Sequence, residues 1–374
     1  MPTKRTPHSK EPSVTLKTLA EHLNLTAGTI SAALNDSAAA RSIPERTRRR
    51  ILEAARELNY RPNYFARSLR LQRTYTIGVI AEQIGDPYGA VIISGIEEYL
   101  RDTQYFFLTV IHRHDQRVLQ TYSQMLLTRG VEGFITVDTS IEEEPSLPTV
   151  AVAGHKCLPG VTNITLDHKV AARLALTHLL ENGHRDIAFL KGQKTSSDSV
   201  TRWNAISEVA KELGVTIRSE LTMQIEGDLA TPQLGYPCTR ELLSRKHRFT
   251  ALFAYNDISA IGAIWALQEA GLRVPEDVSV VGFDDVPLAV FSRPDLTTVA
   301  QPLLRMGRIA AKTIIDRIEG NSDYVPEIVI EPELIVRSSS GPANGSSARN
   351  SAVLTAQSNL EHSQGSTDIR SDQS

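Results

Sequence analysis

Cysteine is nearly absent: Cys157 and Cys238 are the only two in 374 residues. Two isolated thiols, 81 positions apart, make neither a disulfide framework nor a zinc site, and no metal is expected. Long hydrophobic runs are absent as well. No stretch approaches the roughly 18 to 20 uninterrupted apolar residues of a membrane helix, so no membrane partner is expected. Met1 to Pro12 are polar and basic, carry three prolines and lack the apolar core of a secretory signal, which predicts a cytoplasmic protein. Enzyme signatures are missing too. No GxGxxG follows the first strand pattern, and there is neither a P-loop nor a GxSxG elbow. The expectation is a protein that is no enzyme and takes no cofactor.

The net charge of −3 conceals a division. Residues 1–73 hold 14 Lys/Arg against 6 Asp/Glu, whereas the other 301 hold 26 against 37. A small basic module joined to a large acidic one points to a polyanion as the first module's partner. The length exceeds one ordinary core and implies two or three compact units.

Residues 1–12 are expected to be disordered, and residues 13–62 read as three short helices. Leu16, Leu19, Ala20 and Leu23 recur at helical spacing behind Thr15, a capping residue, and Asn24 suits a tight left-handed turn. Thr26 can cap a second helix in which Ile30, Ala33 and Leu34 face inward. A polar loop from Asn35 to Ser42 leads to a third helix opened by Pro44, with Ile51, Leu52, Ala55 and Leu58 as its apolar face. Two short helices joined by a tight turn suit the major groove of DNA, the second presenting its N-terminal side chains to base edges.

After Thr74 the pattern alternates strands with helices. Strands are predicted near 76–80, 105–111, 131–137, 149–153, 186–190, 250–255 and 278–283. Helices are predicted near 89–103, 116–128, 200–213, 232–244 and 258–270. Two such series imply two α/β lobes with parallel sheets covered by helices. Residues 338–374 contain 11 serines and no aromatic residue, and are expected to be disordered.

Val14-Thr-Leu-Lys-Thr-Leu-Ala-Glu-His-Leu-Asn-Leu-Thr-Ala-Gly-Thr-Ile-Ser-Ala-Ala-Leu-Asn35 closely resembles the headpiece of the lactose/galactose repressor (LacI/GalR) family. Glu57-Leu-Asn-Tyr-Arg-Pro-Asn63 and Ala66-Arg-Ser-Leu69 match it further, in the expected order. The resemblance implies an N-terminal all-α helix-turn-helix headpiece, a hinge at 63–73 and a two-lobed α/β core like periplasmic binding proteins at 74–337. The lobes are expected near 74–165 with 298–322, and 166–297 with 323–337. The implied function is a sequence-specific transcription regulator, most often a repressor. It would bind a pseudo-palindromic operator as a homodimer under control of a small effector, a sugar or related metabolite. The same architecture acting as an activator is the alternative. A solute-binding protein of an uptake system would need a secretory signal and no headpiece.

The resemblance places Ala27, Gly28, Thr29 and Ala32 on the major-groove face of the recognition helix, where alanine offers only apolar contact. Thr15, Thr26, Ser31 and Asn35 are assigned to phosphates, and Arg41 to the backbone or a groove edge. In the hinge, Leu69 would wedge into the minor groove, Ala66 would permit close approach, and Asn63, Arg67 and Arg70 would flank it. In the core, Arg202, Asn256 and Asp284 are the implied effector ligands, with Asp86 and Tyr88 lining the cleft and Gln301 at a lobe crossover. Tyr88 and Phe291 can stack on a ring or belong to the core. Asp257 reads as a helix cap, and His112-Arg-His-Asp115 as a solvated loop. Replacing Arg202 or Asp284 by alanine is expected to silence the effector response while sparing unliganded DNA binding.

Overall fold

The computed structural model describes residues 14–35, 38–61, 68–69, 71–154, 156–227, 232–321 and 323–343. The proposed contacts Asn63, Ala66, Arg67 and Arg70, the expected disordered stretch 1–12, and residues 344–374 of the tail expected to be disordered from 338, lie outside the described residues. The chain divides into two compact units, Met1–Thr74 and Tyr75–Ser374.

In the first unit, α1 spans Leu16–Leu23 and α2 spans Ala27–Leu34. Thr15 caps α1 by accepting from Thr18 N, and the Thr18 side chain returns a bond to Thr15 N–H. Asn24 turns the chain with φ 53° and ψ 46°, and Thr26 then caps α2 through Thr29 N. Helix α3 spans Glu45–Glu57 behind Pro44. Leu19, Ile30, Ala33, Ile51 and Ala54 form the buried centre. Two expectations are corrected. Leu52 is 36% exposed and Ala54 takes the inward position, because three-residue spacing from Ile51 stays on the core face where the next residue turns away. Nor is 35–42 a plain polar loop, since Ala38–Ser42 forms a 3-10 helix that buries Ala40.

The second unit holds twelve strands in two sheets among the described residues. Its chain order opens with β1 (Thr76–Ala81), α4 (Pro87–Leu100), β2 (Phe106–Ile111), α5 (Gln116–Thr128), β3 (Gly133–Val137), β4 (Thr149–Val152) and β5 (Val161–Leu166). It continues through α6 (His168–Glu181), β6 (Ile187–Lys191), α7 (Ser199–Glu212), β7 (Thr222–Gln224), α8 (Pro232–Ser244), β8 (Ala251–Phe253), α9 (Asp257–Glu269) and β9 (Ser279–Asp284). The last elements are α10 (Leu288–Phe291), β10 (Thr297–Ala300), α11 (Leu303–Glu319), β11 (Glu327–Ile330) and β12 (Glu333–Ile335). One sheet runs β11-β5-β4-β3-β1-β2, all parallel. The other runs β12-β10-β9-β8-β6-β7, parallel except for β12 against β10.

The chain crosses between lobes three times: before α6, before α11 and before β12. This corrects the expected lobe limits. Residues 298–300 stay in the second lobe because β10 pairs with β9, Thr298 opposite Gly282. Residues 327–330 return to the first because β11 pairs with β5, Ile328 opposite Ile164. Helices α4 and α11 brace the first lobe at bare backbone, where a Cβ on Gly95 would stand 2.1 Å from the Leu304 carbonyl oxygen. At residues 338–343 the expectation of disorder is corrected. Ser339 and Ser340 are buried, Ser339 Oγ donates to Val280 O (2.6 Å) and Gly341 N to Ser279 Oγ (3.1 Å). Serine here supplies hydrogen bonds to the start of β9, an interior strand, which a count of serines cannot reveal.

Candidate functional site

Parallel strands deliver their carboxyl ends, and the helices after them their N-termini, to one cleft between the lobes. Glu82, Gln83, Asp86, Tyr88, His114 and Asp138 line it from the first lobe. Gln193, Thr195, Ser196, Asp198, Arg202, Tyr255, Asn256 and Asp284 line it from the second. The turns at these strand ends are sharp: Asp138 (φ 44°), Ala153 (φ 59°), Asp284 (φ 105°) and Asp285 (φ 54°) all hold the left-handed region without being glycine. Such conformations persist where surrounding bonds over-determine them, and they gather at binding sites.

Arg202, on the first turn of α7, is the centre of the cleft. Its guanidinium donates to Asp198 Oδ2 (2.9 Å) and to the Tyr255 carbonyl (2.7 Å), and stands 3.7 Å from Asp284 Oδ1. It also lies 3.8 Å from the Phe283 ring centroid and 4.5 Å from that of Tyr255. Burial opposes its charge, but Tyr255, Asp198 and Asp284 more than offset this and raise its pKa. Gly192 is required beside it, since a Cβ there would meet the Tyr255 ring at 2.3 Å. Asp284 is itself buried, which holds its carboxyl well above the usual range despite Arg202. Burial also pushes Asp86 up to about 6, with Asp138 adding to the effect.

The lobes are bridged directly. Asp138 Oδ1 accepts from Ser197 N (3.0 Å) and lies 2.6 Å from Ser197 Oγ, whose single proton can instead go to the Ala153 carbonyl, also at 2.6 Å. The closed cleft leaves about 40 Å³ of free space, room for a few waters rather than a sugar-sized ligand. Three buried polar atoms around it have no partner: the Tyr88 hydroxyl, Arg202 Nε and Gln301 Oε1. Each such atom carries a desolvation penalty of about 1–3 kcal/mol until something satisfies it.

Of the six expected cleft residues, Asp86, Tyr88, Arg202, Asn256 and Asp284 are brought together. Gln301 is not in the wall; it sits behind Asp284 and donates to Oδ1 at 2.7 Å. Asp86 and Asn256 have second duties as N-caps of α4 and α9. Asp257 does not cap. Its carboxylate accepts from Val286 N (2.8 Å) and Thr298 Oγ1 (2.5 Å), because the preceding Asn256 already occupies the cap. Phe291 is 75% exposed and lies outside the lining residues. The run His112–Asp115 is no solvated loop: His112 is buried against Thr139, His114 contacts Glu82 in the cleft wall, and Asp115 caps α5. Glu82, His114, Asp138 and Asp198 escaped the sequence reading. The usable signal was their position just past a strand or at a helix start.

On the headpiece, Ala27 and Gly28 are exposed, Thr29 and Ala32 partly so, and Arg41 is exposed. Asn35 is exposed but turns its amide to Ser31 O (2.7 Å). Ser31 is buried, which corrects its assignment to phosphate: its hydroxyl faces Asn35 Nδ2 at 3.3 Å instead. Leu69 is 83% exposed.

A capped helix-turn-helix unit joined in one chain to a two-lobed, cleft-bearing α/β core defines a ligand-responsive transcription regulator. Residues 176–340 match the periplasmic binding protein-like domain. The HTH-type transcriptional repressor PurR of Haemophilus influenzae (strain ATCC 51907 / DSM 11121 / KW20 / Rd) is 33% identical over 335 residues, covering 87% of this chain and 98% of that protein. PurR of Yersinia enterocolitica is 31% identical over 334 residues, covering 87% and 96%. The lac repressor dimer bound to operator and the anti-inducer ONPF shares the fold, with a TM-score of 0.79 at 24% identity over 88% of this chain and 99% of that one. The regulator CelR in complex with cellobiose aligns with a TM-score of 0.63 at 28% identity, covering 87% and 99%. The chain belongs to the LacI/GalR family of transcriptional regulators.

Proposed function

We propose that this regulator is a homodimeric repressor of a near-palindromic operator, released or recruited by a neutral, sugar-like effector held between the core lobes. One observation carries the effector reading: a buried arginine and a buried tyrosine in the cleft wall each keep an unpaired polar atom. A polyhydroxylated ring supplies donors and acceptors to both, while the forked guanidinium and the carboxylates bond adjacent hydroxyls. The charge selects further. Glu82, Asp86, Asp138 and Asp198 outnumber the one arginine and the His114 imidazole in the wall, so a phosphate or carboxylate on the effector meets net repulsion. Arg202, Asp284, Tyr88, Asp86 and Asn256 would contact the effector, with Gln301 acting through Asp284.

On DNA, Thr29 would read a base edge while Ala27, Gly28 and Ala32 allow close apolar approach; Thr15, Thr26, Asn35 and Arg41 would hold phosphates. Leu69 would serve as the minor-groove wedge. The test is a calorimetric screen of the full chain with neutral mono- and disaccharides and their phosphorylated counterparts. The expected result is saturable binding of a neutral sugar, with its phosphate ester bound at least tenfold more weakly. Preference for the phosphorylated form would refute the charge argument.

A further inference from the structure

A second concavity lies on the first lobe and shares no lining residue with the effector cleft. It is a groove of about 830 Å³ between α5 and the segment running from Thr139 to Thr149. That is the size range of small-molecule sites. Its floor is Ile80, Phe134 and Thr136 from strands β1 and β3. Phe134 and Ile80 are buried in a small apolar cluster with Leu126.

The wall supplied by α5 is unusual. Gln116, Leu119, Gln120, Ser123, Gln124 and Leu127 fall at i, i+3, i+4, i+7, i+8 and i+11, the stripe that a helix packed on a sheet normally makes apolar. Four of the six are uncharged polar residues, and the stripe borders open space instead of filling it. At the floor, Thr136 is 3% exposed, yet its hydroxyl has no hydrogen-bond partner. Buried hydroxyls are almost always paired, so this one marks a place for an absent group. Glu142, Glu143 and Glu144 are exposed at the opposite wall, where they repel anions.

We propose that this groove is a second small-molecule site. It takes an uncharged aromatic or alicyclic compound whose one hydrogen-bonding group reaches Thr136 while its ring lies on Phe134, Ile80 and Leu119. Glutamine amides along α5 edge the ring without demanding charge.

Indole serves as the probe, with phenol and cyclohexanol beside it and indole-3-carboxylate as the anionic counterpart, titrated into the full chain by calorimetry. The expected result is saturable 1:1 binding of at least one neutral probe and at least tenfold weaker binding of the carboxylate. Thr136→Val keeps the shape and removes the hydroxyl. It should weaken neutral-probe binding about 3- to 10-fold, the worth of one hydrogen bond, without lowering the melting temperature. Ser123→Phe fills the groove from a partly exposed position and should abolish binding while the protein stays folded. Absence of saturable binding by all three neutral probes overturns the proposal. So does binding that survives Ser123→Phe, a Thr136→Val protein that melts markedly lower, or a change of oligomeric mass in Ser123→Phe, which would make the groove an interface between copies.

Discussion

Arg202→Met removes the single guanidinium from the effector cleft while keeping much of its volume. The charge is fully buried and serves Asp198, Asp284 and the Tyr255 carbonyl at once. Removing one partner from a buried ionic group costs about 3–5 kcal/mol, because the remaining charges are left in low dielectric. At about 2–4 °C per kcal/mol for a domain of this size, the melting temperature should fall by roughly 6–20 °C. The loss should depend on pH in a definite direction. Asp86, at about 6, and Asp284, well above its ordinary value, already bind protons more readily in the folded state than in the unfolded one. Arg202 holds Asp284 down, so its removal raises that carboxyl further; the variant regains stability as falling pH neutralises it, and the gap to the parent narrows toward pH 5. Calorimetry on full-length protein between pH 5 and 8 measures this. A gap below about 1 kcal/mol, or one that widens on acidification, refutes the keystone role assigned to Arg202. The expectation that Arg202→Ala silences the effector response while sparing unliganded DNA binding is thereby revised: the residue also holds the cleft wall together.

Two further predictions concern the core and the hinge. Burial raises Asp257 to about 7, so the native state holds a proton there that the unfolded chain releases between pH 4 and 7. The parent protein should therefore lose stability relative to Asp257→Asn as pH rises through that window, by at most about 4 kcal/mol, while the histidines whose pKa values burial lowers cancel in the comparison. Parallel stability–pH curves would contradict it. Leu69→Ala truncates a side chain that is 83% exposed, so melting should barely change, yet specific DNA binding should weaken by a few kcal/mol with random DNA little affected. Equal losses on both DNAs would remove the wedge role.

Much of this fold was legible because its elements carry strong local signals. Thr15, Asn24 and Thr26 mark the headpiece turns by capping chemistry, and helix α5 begins and ends where its pattern does. The lobe crossovers were harder. β10 and β11 are only four residues each, and which sheet a strand joins is decided by a ladder with residues far away in sequence, such as Ile328 with Ile164. The cleft was half legible. Arg202 and Asp284 lie in recognisable motifs, but Asp138 and His114 act because turns with positive φ aim them inward. Ser31 was misassigned because a hydroxyl on a helix bonds to DNA or to its own chain with the same local sequence.

In the proposed function, occupancy of the cleft and occupancy of the operator are coupled. Linkage makes this measurable in both directions on one preparation. DNA selected by the full chain from a random pool provides the operator, and a neutral sugar found by calorimetry provides the effector. Operator affinity is then titrated with and without effector, and effector affinity with and without operator. The expected change is about 5- to 150-fold, equal in the two directions. A sugar that binds tightly between the lobes and leaves operator affinity unchanged would contradict it.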